Sequence, residues 1–321
     1  MRNRYCLTAG ALLAGLIMSV PARATPIVLT GNHVKVGISD SGTFGSNGNA
    51  DPAFVHDPSG TGSFDPNFDY IAPGSPHDGF SLISDQFGFS SNDNQSFGGD
   101  FGFTSPTLLV GAAANGYANA ASWTGSNGLA SITNSYFFNP NDQRVLVTTR
   151  ITALADLSNL AFARSVDPDS DSRSFGTATT NNQRGNSLFG IDDFVGSAGF
   201  VSGLTLALIN IDDAGFDHTT QINFSCCSNI NPYDVLNHVG GDAGLGSTGD
   251  HGLNLAYDLG TLLNGSSVTL TYAYAVGDKI DDVGNPGVVP EPATWAMMIA
   301  GFGMVGGAMR STRRQGKAVT A

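Results

Sequence analysis

Glutamate is almost missing from this 321-residue sequence: of its 27 acidic residues only Glu291 is not Asp. Lysine is nearly as scarce, with Lys35, Lys279 and Lys317 alone. Long charged side chains of both signs dress exposed helix faces, so their shortage leaves little from which to build a helical protein. The three cysteines, Cys6, Cys226 and Cys227, are too few for a disulfide framework. With 14 basic residues against 27 acidic ones the net charge is −13, which excludes a surface that holds nucleic acid through its phosphates. No H-E-x-x-H or G-x-S-x-G motif occurs, and neither cysteine near position 226 sits in a known nucleophile signature.

What is abundant is glycine, 42 residues in all, together with Asp, Asn and Ser, the residues that make turns. Residues 25–289 hold 7 basic residues and 26 Asp, a net charge of −19. Apolar residues alternate with small or polar ones at Val34, Val36 and Ile38, at Val145, Val147 and Ile151, and at Val268, Leu270, Tyr272, Tyr274 and Val276. Period two marks half-buried strands. Further strands are expected over residues 132–138, 160–165, 204–211, 222–226 and 253–259, and Asn264-Gly265 reads as a hairpin-type turn. Residues 39–102, dense in Gly, Ser, Asn, Asp and Phe, read as ordered loops and short strands packed over the core, because a disordered linker carries few aromatics. The expected fold is therefore all-β: an antiparallel β-sandwich with long Gly-, Asp- and Asn-rich loops.

The two ends differ from this body. Arg2 and Arg4 precede an apolar run over residues 7–20, and Ala22 and Ala24 stand at the −3 and −1 positions of a cleavage site. This is the pattern of a secretory signal peptide over residues 1–24, helical before removal. At the other end, residues 293–309 carry no charge. As a helix they would extend about 26 Å, close to a bilayer core. Arg310, Arg313, Arg314 and Lys317 follow, which favours keeping that end cytoplasmic while the body is exported.

The order Pro290-Glu291-Pro292-Ala293-Thr294-Trp295-Ala296, then a Gly-rich apolar stretch, then a basic end, resembles the PEP-CTERM sorting signal in its variant with Trp-Ala after the triplet. The resemblance covers residues 290–321. It implies processing by an exosortase, a membrane-embedded transpeptidase-like enzyme of Gram-negative bacteria that make exopolysaccharide, with Pro290, Glu291 and Pro292 as part of the recognised substrate. Similar tails occur on proteins described as ice-binding. The implied itinerary is export through the inner membrane, anchoring by the helix over residues 293–309, then release or display at the cell surface.

Within the body, Asp167, Asp169 and Asp171 place three carboxylates at alternate positions after a strand. Hard oxygen ligands at this spacing suit one Ca²⁺ ion, with Asn181, Asn182 or backbone carbonyls completing the shell. The competing reading is an acidic turn fixed by Pro168 and neutralised by the flanking Arg164 and Arg173. Cys226 and Cys227 are expected as buried unpaired thiols facing opposite sides of a strand, with a vicinal or intermolecular disulfide next and metal binding last. The run Gly244-Leu245-Gly246-Ser247-Thr248-Gly249 matches a dinucleotide fingerprint, but no helix is expected after it, so it carries no cofactor. Four histidines, His56, His77, His218 and His251, neighbour an Asp in sequence, which on a strand points the two side chains apart. No catalytic residue is nominated. The expected function is that of a non-enzymatic surface or matrix component, associated with exopolysaccharide and divalent cations. The alternative is a secreted carbohydrate-active enzyme that uses loop Asp residues.

Overall fold

The computed structural model describes residues 26–45, 52–72, 77–95, 99–224, 226–228 and 230–284. The proposed signal peptide, the PEP triplet and the apolar run over residues 293–309 lie outside them. Among the described residues no helix is long and apolar enough to cross a membrane.

The body is all-β. Its strands are β1 (Ile27–Thr30), β2 (Val34–Ile38), β3 (Phe54–His56), β4 (His77–Ser84), β5 (Gly88–Asp93), β6 (Thr107–Leu108), β7 (Asn119–Ser126), β8 (Ala130–Phe138) and β9 (Arg144–Ala153). They continue with β10 (Leu157–Asp167), β11 (Thr180–Arg184), β12 (Phe194–Gly199), β13 (Thr205–Asp212), β14 (Asp217–Asn223), β15 (Gly246–Gly249), β16 (Gly252–Leu262) and β17 (Ser267–Gly277). The α-helical turns are α1 (Ser172–Phe175) and α2 (Pro232–Leu236). Three antiparallel sheets result: β1-β2-β3, then β14-β16-β10-β4-β5, then β15-β11-β12-β13-β17-β9-β8-β7-β6.

The alternating residues of the sequence decide the layers. On β10, Phe162, Arg164 and Val166 face inward, and Ala161, Ala163, Ser165 and Asp167 face out. The Phe162 ring lies 6.4 Å from Tyr257 of β16 and 6.4 Å from Tyr272 of β17, so the five- and nine-stranded sheets share one core. Val34, Val36 and Phe54 bring the small sheet into the same cluster.

Two corrections concern connections. Asn264-Gly265 is a turn, with Gly265 at φ +81°, but it does not close a hairpin: β16 belongs to the five-stranded sheet and β17 to the nine-stranded one. The β9–β10 connection crosses between the same sheets beside it, and the two are stitched together. Gly265 donates its N–H to the Ala153 carbonyl at 2.8 Å and Asn264 donates its own to Asp156 Oδ1 at 2.9 Å. Within residues 39–102, strands β4 and β5 are full members of the five-stranded sheet rather than short strands packed over it.

Arg164 does not neutralise the acidic turn either. It is fully buried in the core and pairs with Asp78, whose Oδ2 also accepts from the Phe44 N–H at 2.6 Å and whose Oδ1 accepts from the Tyr274 hydroxyl. The guanidinium lies 5.9 Å from the ring centres of Phe44 and Phe80. Removing one member of such a pair strands a buried charge, at a cost of about 3–5 kcal/mol.

Candidate functional site

Strand β10 ends at Asp167 and Pro168 prevents its continuation. The chain turns there, with the Asp169 N–H held by the Tyr70 carbonyl at 2.7 Å and the Ser172 N–H by the Asp169 carbonyl at 3.0 Å. Strand β16 pairs with β10 in the register Val166–Leu253, which brings the turn before β16, and with it Asp250, to the same end of the sheet. One carboxylate oxygen each of Asp167, Asp169 and Asp250 lies within 4.8 Å of the others. Ca²⁺ holds oxygen ligands at about 2.3–2.6 Å, so three oxygens so spaced can share one ion.

Asp171 is not part of this group. Its Oδ2 accepts from the Val201 and Ser202 N–H groups at 2.6 and 3.2 Å, so it fixes the turn after β12. Asn181 and Asn182 serve the sheet edge: Asn181 Oδ1 accepts from Thr248 Oγ1 at 2.9 Å, and the Asn182 amide donates to the Gly249 carbonyl at 3.3 Å. The dinucleotide-like run forms the edge strand β15, with no helix after it.

The electrostatics of the cluster are those of charge without compensation. Asp167 and Asp169 are each only 3% exposed. Burial, then the charge of Asp250, pushes Asp167 up to about 7. Burial, then Asp167 and Asp250, pushes Asp169 up to about 8. Asp250, though exposed, is also raised, chiefly by desolvation. Asp169 Oδ1 is buried with no hydrogen-bond partner among the described residues, and so is the neighbouring Ser170 hydroxyl. A buried oxygen left unsatisfied costs about 1–3 kcal/mol, and more when charged.

Cys226 and Cys227 lie against the cluster as a vicinal disulfide, which corrects the expectation of free thiols. That expectation assumed a strand through residue 226, whereas β14 ends at Asn223 and its alternation does not reach the pair. Cys227 Sγ stands 3.5 Å from Asp167 Oδ2. A disulfide sulfur has no proton to donate, so this contact is not a hydrogen bond. Behind it lies a cavity of about 160 Å³ lined by His77, Ser165, Cys226 and Asn254 among others. His77 is the ladder partner of Asp167. Both of its ring nitrogens are buried without a partner among the described residues, and burial above all lowers its pKa to about 4, which keeps the imidazole neutral.

Other histidines pair with carboxylates elsewhere: His238 Nδ1 faces Asp242 Oδ2 at 3.0 Å and its Nε2 lies 3.3 Å from Thr219 Oγ1, a hydroxyl that donates to Asp192 Oδ1. His218 Nε2 faces Asp193 Oδ1 and Nδ1 faces Asp213 Oδ2, both at 2.9 Å, so carboxylates engage both nitrogens. These are not its sequence neighbour Asp217. His77 faces outward while adjacent Asp78 faces the core, as strand alternation requires.

No curated protein matches the chain. Among solved structures it is similar to a bacterial glucoamylase complexed with acarbose, at 12% identity and a TM-score of 0.49, over 80% of this chain and 33% of that one. A heparan sulfate lyase HepC mutant from Pedobacter heparinus gives 10% identity and a TM-score of 0.43, over 80% of this chain and 36% of that one. The chain thus spans about a third of the length of either. A putative aldose 1-epimerase from Escherichia coli K12 gives 11% identity and a TM-score of 0.34, over 78% of this chain and 98% of that one. Outside the described residues, positions 288–314 match the family model of the PEP-CTERM protein-sorting motif, and the chain therefore carries that motif at its Pro290-Glu291-Pro292 end.

Proposed function

We propose that this is an exported, exosortase-sorted protein of the cell surface or extracellular matrix, non-enzymatic, whose β-sandwich body holds one calcium ion and associates with exopolysaccharide. A signal peptide over residues 1–24 starts export, the helix over residues 293–309 anchors the chain while an exosortase acts at the PEP triplet, and residues 25–289 are the delivered cargo. The observation that supports the itinerary is the sorting motif at residues 288–314. The observation that supports the ion is the convergence of Asp167, Asp169 and Asp250 around an unsatisfied buried oxygen. A hard divalent cation supplies there the charge and the oxygen-seeking coordination the cluster lacks, with water and backbone carbonyls filling the remaining positions.

Calorimetric titration of the chelator-treated protein with CaCl₂ tests the ion. One ion per chain is expected, with binding lost in Asp169→Asn and weakened in Asp250→Asn. Asp250 is exposed, so its variant tests the site without threatening the fold. Heats unchanged in both variants would remove this site.

A further inference from the structure

The carboxylate cluster occupies one end of the outer face of the five-stranded sheet, and a second polar feature occupies the other. There the end of β4, an irregular stretch of β10 and residues 258–260 of β16 border a groove of about 500 Å³, closed on one side by α2. The volume falls within the range of about 300–1,000 Å³ found for small-ligand pockets. Its polar lining is Ser84, Asp85, Asn159, Tyr233 and Asp258.

Local structure presents these groups. The register of β10 against β16 shifts between Leu157 and Ala161, and Asn159 within that bulge takes φ +48°. Its amide donates to Asp85 Oδ2 at 2.8 Å, and the Ser158 hydroxyl donates to the same oxygen at 3.0 Å. Asp258 is steadied through Oδ1, which accepts from the Gly260 N–H at 3.1 Å. Helix α2 is capped by the Asn231 side chain, which accepts from the Tyr233 N–H at 2.9 Å, and is seated by Val235 on Ala163 and Ala256. Tyr233 is thereby held over the groove, near enough to both carboxylates that, after burial, Asp258 and Asp85 raise its phenol pKa. Ser84 is 3% exposed and its hydroxyl has no hydrogen-bond partner among the described residues.

The donor and acceptor inventory selects the ligand. Ionised carboxylates only accept, and the Asn159 amide already donates to Asp85, so the groove offers acceptors in excess beside one half-buried aromatic ring. It fits a molecule that presents several hydroxyl donors, an apolar C–H face for the tyrosine, and no negative charge. Sulfate, phosphate or uronate groups would meet two Asp residues on a body of net charge −19.

We propose that this groove is a binding subsite for a neutral, polyhydroxylated saccharide, its hydroxyls donating to Asp85 and Asp258 and its ring resting on Tyr233. The proposal deepens, and rests on, the reading of the protein as a partner of exopolysaccharide.

The test is retention of the secreted, processed protein on an array of neutral gluco-, galacto- and manno-configured oligosaccharides beside sulfated and uronate-containing glycans. Retention on neutral glycans is expected. It should weaken at least about tenfold in Tyr233→Ala, the loss of roughly one good contact, and measurably in Asp258→Asn, which keeps an oxygen for the Gly260 N–H. Calcium titration in the same variants should be unchanged, which separates loss of this subsite from loss of the fold. Failure to retain any neutral glycan, preference for the anionic ones, or retention undiminished in both variants overturns the proposal. The calcium titration and the processed mass score the broader reading independently.

Discussion

Asp169 concentrates the physics of the candidate site. Its raised pKa means that the native state keeps a proton which the unfolded chain, with an ordinary value of 3.8, has already released. A group raised in this way makes the fold less stable as pH climbs from the unfolded value to the native one, by about 1.4 kcal/mol for each pH unit crossed. Asp167 acts in the same direction. Buried neutral His56 and His77, both lowered from 6.5 to about 4, act in the opposite one: their contribution is present above 6.5 and is lost as pH falls toward 4. The carboxylates therefore dominate between about pH 6.5 and 8. Thermal melts in EDTA should show the melting temperature falling over that window, and saturating calcium should remove most of the fall, because an ion replaces the protons. Melts that coincide with and without calcium at pH 8 would contradict the site. A second residue-scale expectation concerns Cys226 and Cys227. The mature protein should show no free thiol to a thiol-reactive dye, and two after reduction and denaturation. Two thiols without reduction would contradict the vicinal bond.

At the scale of elements, alternation made β2, β9 and β17 legible, and β8, β10, β13 and β16 also stand where their apolar runs place them. Strands β4 and β5 were not legible, because Gly, Ser and Asn punctuate them and their few apolar residues, Phe80, Leu82, Ile83 and Phe89, do not alternate strictly. Asn264-Gly265 shows a second limit. A turn signal specifies local φ and ψ but not the sheet the chain enters next, which the packing of inner faces decides. Gly265→Ala puts a side chain at φ +81° and should cost about 1–2 kcal/mol, read as a lowered midpoint in urea with an unchanged slope. No loss of stability would show that the turn relaxes freely. The site divides in the same way. Asp167 and Asp169 were readable from their spacing, whereas Asp250 is distant in sequence and joins them only through the β10–β16 register. Asp171 shares the spacing but leaves the group, because the turn after β12 takes its carboxylate.

For the whole molecule, the near-absence of Glu and the surplus of Asp give residues 25–289 a net charge of −19, which repels anions. The deeply buried Arg164–Asp78 pair and the shared aromatic core lie between the sheets, and the two polar features lie at opposite ends of the five-stranded sheet. Sorting to the surface rests on the motif at residues 288–314. Intact mass spectrometry of the extracellular protein tests that claim most directly. The account predicts a chain that begins at Thr25 and ends close to Pro290, and an extracellular chain that still ends at Ala321 would contradict it.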